Sequence, residues 1–249
     1  MPTEKATALV LRTVEFSETS LVATLMTREF GKLGVLAKGA RRLKSPFESA
    51  LDLLCLCRIV FVRKSSEALD LLTEAKLLRR FRPAGRDLSS LYAGYYVAEL
   101  LLELTNEYDP HPELFDLADE TLAALSAGES VARRLARFEL LGLRLLGHLP
   151  SLDCCAECGA PVTLGRQVAF GPGGLLCNKC RAGKRHVIVV DAGVIKTMQQ
   201  LANPQGHSWQ RLETDRRLMA QLRGVLNNYI THLLGKRPKL HRYLASLER

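Results

Sequence analysis

Five of the chain's seven cysteines fall between positions 154 and 180. Four of them form two matched pairs, Cys155-x-x-Cys158 and Cys177-x-x-Cys180, with 18 residues between the pairs. That spacing is a strong zinc signature. The reason is geometric: two thiolates three positions apart on a tight turn can meet one tetrahedral ion, with Zn–S near ~2.3 Å. Gly159 follows the first pair, where a knuckle turn often needs a positive φ. Phe170-Gly171-Pro172-Gly173-Gly174 lies between the pairs and would let the chain double back. The expected cofactor is one Zn2+ ion on Cys155, Cys158, Cys177 and Cys180. Cys154 competes with Cys155 for the first position; the symmetry of the pairs favours Cys155 and leaves Cys154 a spare thiol. Cys55 and Cys57 sit in an apolar run and read as core. Four thiolates fill the coordination sphere, whereas a catalytic zinc keeps a position open for water. The H-x-E that zinc deaminases place ahead of P-C-x-x-C is also missing. The metal reads as structural.

The second group with chemical potential is cationic. Lys38-Gly39-Ala40-Arg41-Arg42-Leu43-Lys44 places four positive charges within seven residues. Lys38, Arg41, Arg42 and Lys44 could therefore meet phosphates spaced along a nucleic-acid backbone. Gly39 lets the main chain approach closely. Phe16, Phe30, Phe47 and Phe61 are candidates for base stacking in a barrel groove, against the competing reading that such rings are core.

Enzyme signals are missing. The Gly-Lys pairs at 31, 183 and 235 are followed by Leu or Arg, never by Ser or Thr, so there is no phosphate-binding P-loop. G-x-S-x-G and H-E-x-x-H are absent. The six histidines are scattered. No catalytic residue is assigned, and a non-enzymatic protein is expected.

The elements that must hold these groups can be read from periodicity. Residues 1–80 contain five strand-like segments, at Thr7–Leu11, Leu21–Thr27, Lys32–Ala37, Leu51–Val62 and Leu69–Leu77, with turn signals between them. Five strands of this length fit an OB-fold, which binds oligonucleotides, and fit an SH3-like barrel as well. Residues 86–147 change to three helical stripes. Asp87 is placed to cap the first; Asp109-Pro110-His111-Pro112, Gly128 and Gly147 break or stop them. Residues 150–190 are loop-rich, with a short strand expected at Val187–Val190. Asp191 should cap a helix through Leu201, and Asp215–Leu234 should form another, ended by Gly235. The expectation is an α+β multidomain chain. Residues 1–80 form the barrel, 81–150 and 190–249 a helical domain, and 151–189 a zinc module inserted in it.

Charge follows the same division. The 249 residues carry 35 Lys+Arg against 26 Asp+Glu, a net +9. The excess lies at the two ends, while residues 87–132 hold ten carboxylates and no Lys or Arg. Basic ends look like a polyanion footprint. The acidic block reads as a solvated helix face, as a surface for a basic partner, or as a side that repels nucleic acid. The composition, 47% hydrophobic and 24% charged, is that of an ordinary globular protein rather than a disordered one. No apolar run approaches the 18 or so residues of a membrane span. Met1-Pro2-Thr3-Glu4-Lys5 does not open a signal peptide. A cytoplasmic, nucleoid-associated location and no membrane partner are expected.

The sequence resembles the RecO family of bacterial recombination mediators. The resemblance rests on Glu18-Thr19-Ser20, the Lys38-Gly39-Ala40-Arg41-Arg42 stretch, and the Cys155–Cys180 knuckles with Phe170 and Gly173-Gly174 between them. It spans essentially the whole chain in the same order. The resemblance implies an N-terminal OB-fold, a central helical domain and an inserted zinc module. It also implies binding to single- and double-stranded DNA, strand annealing, and loading of the RecA recombinase onto protein-coated single strands. The implied partners are RecR, alone or with RecF, and the acidic C-terminal tail of the single-stranded-DNA-binding protein. Two other readings compete: an RNA- or ribosome-associated OB/zinc protein, and a zinc-dependent nuclease or hydrolase.

Overall fold

The computed structural model describes residues 3–42, 45, 47, 50–64, 68–83, 85, 87–206, 208–212 and 215–247. Alternating apolar residues in the N-terminal third build five strands: β1 (Thr3–Glu15), β2 (Leu21–Thr27), β3 (Gly31–Ala37), β4 (Leu56–Val62) and β5 (Asp70–Arg79). They close into a barrel in the order β1-β2-β3-β5-β4, with β4 returning to β1. Among the described strands of the barrel, β3 pairs parallel with β5, where Val35, Leu36 and Ala37 face Asp70, Leu71 and Leu72. This is the OB-like barrel that the N-terminal pattern and the resemblance implied. Every second residue points inward, as Leu33, Val35 and Ala37 do on β3 and Cys57, Ile59 and Phe61 on β4. Burying each large side chain of this set contributes about 1.5–3 kcal/mol.

Two boundaries differ from the periodicity. β1 extends to both sides of the apolar run, because Thr3–Lys5 and Arg12–Glu15 pair with β4 and β2 while the charged side chains of Arg12 and Glu15 stay outside. The segment 51–55 is not strand. It turns, with Leu54 at φ +62°, and packs Leu51, Leu54 and Cys55 inward before β4 begins.

By compactness the chain divides into two units, residues 1–131 with 242–249, and residues 132–241. In the first, α1 (Leu88–Leu104) starts at Asp87, whose carboxylate accepts from the Ser89 and Ser90 N–H groups. α1 ends under Lys32 of β3, whose Nζ donates to the carbonyls of Leu102, at 2.8 Å, and Thr105. A cation there satisfies carbonyls that the helix leaves open. Gly31 (φ +73°) takes a conformation that disfavours a side chain, and a Cβ would collide with the Asp109 carbonyl. α2 (Pro112–Ser126) opens on proline.

The acidic block now has a physical role. Asp116 accepts from Arg28 at 2.8 and 2.9 Å, and Asp119 from Arg79. Part of its charge therefore neutralises cations of the barrel in the same unit.

The second unit joins α3 (Val131–Leu145) from Ala132 on, a sheet of β6 (Gln167–Gly171), β7 (Gly174–Leu176) and β8 (Ile188–Asp191), and helices α4 (Ala192–Leu201) and α5 (Arg216–Leu234). The sheet order is β7-β6-β8. Phe170, Leu175 and Val190 of the sheet share one core with Ile195, Met198, Trp209, Leu222 and Leu226. Gly174 (φ +127°) sits where a Cβ would strike the Ser151 backbone, and Ser151 pairs there with Gly173 and Leu175. Asp215 caps α5, and Gly235 ends it in the left-handed conformation. Asp191 stands at the start of α4, but its carboxylate accepts from Gln221 at 2.8 Å instead of from the helix. Arg223 and Glu139 form a buried pair at 2.9 Å. Arg134 and Arg137 lie over the Trp209 ring at 4.7 and 5.1 Å. α6 (His241–Leu247) follows the basic tail, a helix too short to show a stripe in the sequence. Among the described residues no helix is long and apolar enough to cross a membrane.

Candidate nucleic-acid interface and metal centre

The β-sheet of the second unit carries the two cysteine turns. Gly159 (φ +70°) releases the chain after Cys158, and its N–H donates to the Cys155 carbonyl at 2.9 Å. The Sγ atoms of Cys155, Cys158, Cys177 and Cys180 lie within 4.8 Å of one another. Cys158 and Cys177 are 3.9 Å apart. An ion with four sulfurs at about 2.3 Å sets tetrahedral edges near ~3.8 Å, so the cluster is the right size for one. Cys154 is outside it. Its carbonyl accepts from Ser151 Oγ at 2.6 Å, and its backbone bridges to Pro161.

Electrostatics fits a cation at this point. Backbone N–H groups of Cys177 and Cys158 hold the Cys155 thiol down to about 6, and that of Cys180 lowers Cys177. Cys180, surrounded by the other sulfurs, is pushed up to about 12. Four thiolates so close repel unless a positive charge joins them. Four sulfur donors with no oxygen or nitrogen favour a soft or borderline metal. Cys57 is the contrast: burial pushes it up to about 12, and it lies in the barrel core, as Cys55 does beside it.

The cationic stretch leaves the end of β3 as a turn. Gly39 (φ +76°) is buried, and its carbonyl accepts from the Arg42 N–H at 3.1 Å. Lys38, Arg41 and Arg42 are all exposed. Lys44 lies outside the described residues. The three described cations differ in what they hold. Arg41 Nη2 pairs with Glu15 at 3.0 Å, its Nη1 donates to the Ser17 carbonyl at 3.1 Å, and its backbone N–H donates to the Thr19 carbonyl at 3.1 Å. Among the described residues, Lys38 and Arg42 pair with no carboxylate. The sequence could not separate these roles, because Glu15 is 26 positions from Arg41.

The aromatic candidates separate as well. Phe47 and Phe61 are core residues, 2% and 0% exposed. Phe30 packs edge-on against Phe61, with ring centres 5.5 Å apart at 88°. The core reading holds for Phe47 and Phe61, and Phe30 is half-buried and packs against the same core. Phe16 is 64% exposed.

Several other basic side chains are engaged elsewhere. Arg28, Arg79 and Lys32 meet α2 and α1, while Arg137 and Arg223 serve the second unit from inside. The count of 35 Lys+Arg therefore overstates the cations displayed to a polyanion.

Two family models together cover nearly the whole chain. The family model "Recombination protein O N terminal" matches residues 1–81, and "Recombination protein O C terminal" matches residues 85–242. The chain is similar to the DNA repair protein RecO of Rhodopirellula baltica, 38% identical over 262 residues, covering 95% of this chain and 97% of the relative. It is similar to the protein of the same name from Syntrophus aciditrophicus, 30% identical over 99% of this chain and 97% of the relative. A third, from Anaeromyxobacter dehalogenans strain 2CP-C, is 35% identical over 98% and 96%.

Proposed function

We propose, for a chain that belongs to the RecO family, a non-enzymatic role in recombinational DNA repair: it binds single- and double-stranded DNA and anneals complementary strands. The observation that carries this reading is the OB-like barrel with Lys38 and Arg42 displayed, unpaired among the described residues, on a turn pinned to its first hairpin. Phosphates of a DNA backbone meet these two cations, and Lys44 extends the same stretch, while Arg41, paired with Glu15, holds the turn. Holding two strands on one protein raises their effective concentration, which needs no hydrolysis.

Cys155, Cys158, Cys177 and Cys180 hold one Zn2+ in this reading, and the ion braces the turns around β6–β8 without taking part in chemistry. The protein works in the cytoplasm at the nucleoid. It helps load RecA onto coated single strands, with RecR, alone or with RecF, as partner. The acidic tail of the single-stranded-DNA-binding protein docks on α5 and the basic segment 236–242.

The test is an annealing assay with two complementary oligonucleotides, with and without their coating protein and without ATP. Acceleration of pairing by the full chain is expected. Pairing at the spontaneous rate, or equal affinity for RNA and DNA of one sequence, would turn the reading toward an RNA-associated protein or away from nucleic acid altogether.

A further inference from the structure

Resting on that reading, we propose that Phe16 is the platform on which a nucleobase of a bound single strand stacks, and that Arg41 is the positioning residue that holds it in place. Phe16 stands at the start of the turn joining β1 to β2. In an OB-type barrel that loop flanks the oligonucleotide-binding face of β2 and β3. The turn is tight. Phe16 N–H donates to the Ser20 carbonyl at 3.0 Å, Ser17 N–H to the same carbonyl at 3.3 Å, and Ser20 N–H to Ser17 Oγ at 3.2 Å. The backbone that carries the ring is held, so little main-chain freedom is lost when a base meets it.

Arg41 brackets the ring along the chain. Its guanidinium holds Glu15 on one side of Phe16 and the Ser17 carbonyl on the other, while its N–H holds Thr19. The turn bearing Lys38 and Arg42 is thus locked to the turn bearing Phe16. The outward face of β1 continues the surface: Thr13 pairs with core residue Ala23, so its neighbours Arg12 and Val14 face outward, and both are exposed. A large aromatic ring 64% exposed on a turn joined through Arg41 to the cationic one suits a ligand that is anionic along its length and has π faces. A single-stranded nucleic acid with its bases unstacked is that ligand. Arg41, with its guanidinium spent on the hairpin, acts through Phe16 and not on phosphate.

The test is a fluorescence anisotropy titration of the full chain. It uses two labelled strands of equal length, one oligothymidine and one abasic sugar–phosphate chain, over a range of salt. Phe16→Ala is expected to weaken binding to the base-bearing strand about 5- to 100-fold, leaving the salt slope and abasic binding as they were. Phe16→Tyr should retain binding. Arg41→Gln should reproduce the loss on the base-bearing strand without lowering the salt slope. Thermal melting checks that each variant is folded. Equal effects of Phe16→Ala on both strands, or none, overturn the stacking role. A drop in slope for Arg41→Gln overturns the positioning role. Failure of the unaltered chain to bind either strand is a different result, which refutes the DNA-binding reading itself.

Discussion

Cations that are spoken for should not contribute to the salt dependence of DNA binding, and cations that are not should. Consider two double variants, Lys38→Gln with Arg42→Gln, and Arg28→Gln with Arg79→Gln. Each removes two positive charges from the barrel. In the first pair neither side chain has a carboxylate partner among the described residues. In the second, Arg28 is held by Asp116 and Arg79 by Asp119. A cation on a phosphate of a single strand adds about 0.7 to the slope of log K against log salt, so losing Lys38 and Arg42 should lower the slope by about 1.4. Between 50 and 200 mM salt, the loss of affinity should then be about 7-fold smaller than for the parent. The Arg28 and Arg79 variant should keep the parental slope, since those guanidinium groups already face carboxylates and the charges bared by their removal are screened within about 10 Å. Anisotropy titrations at four or five salt concentrations measure both slopes. Equal reductions in the two variants would show that net charge, not the turn after β3, governs binding, and no reduction in the first would remove that turn from the footprint.

Metal removal should act locally: full chelation is expected to strip hydrogen-exchange protection from β6–β8 while β1–β5 keep theirs, a structural zinc site being worth on the order of ~10 kcal/mol. Retained protection in β6–β8 would contradict the bracing role. Gly174→Ala should cost about 3 kcal/mol or more in chemical denaturation, because the new methyl meets the Ser151 backbone at a φ that disfavours a side chain. His241 is buried, and burial lowers it to about 4 from its usual 6.5. The unfolded chain then takes up the proton first, so stability should be full above about pH 6.5 and fall as pH drops toward 4. His241→Phe should flatten that part of a melting-temperature profile, and an unchanged profile would refute the assignment.

The parts legible in the sequence are those fixed by local pattern. Cysteine spacing identified all four sulfurs that converge, since each pair needs only its own turn. Strand alternation gave the barrel, and Asp87, Asp215 and Gly235 marked helix ends correctly. What was hidden depends on partners far along the chain. Arg28 and Asp116 are 88 positions apart, so the purpose of the acidic block could not be seen. The roles of Arg41 and Arg42 look identical until Glu15 and Ser17 are brought beside one of them. Four phenylalanines in one barrel are alike in type; β4 points Phe61 inward, a turn between β3 and β4 packs Phe47 against the same core, and Phe16 is left outside. Leu51–Leu54 read as strand because burial alone makes an apolar run, whatever the backbone does there.

The pairing of Arg28 and Arg79 with α2, and of Lys32 with the end of α1, bears on how this molecule could be dissected. A fragment cut after β5 would strip those three side chains of their internal counterparts and bare fresh positive charge that the parent conceals. Such a minimal barrel would be stickier toward any polyanion and poorer at discriminating among them. Affinity measured on it would misjudge the intact protein, in which the helices act as a built-in mask.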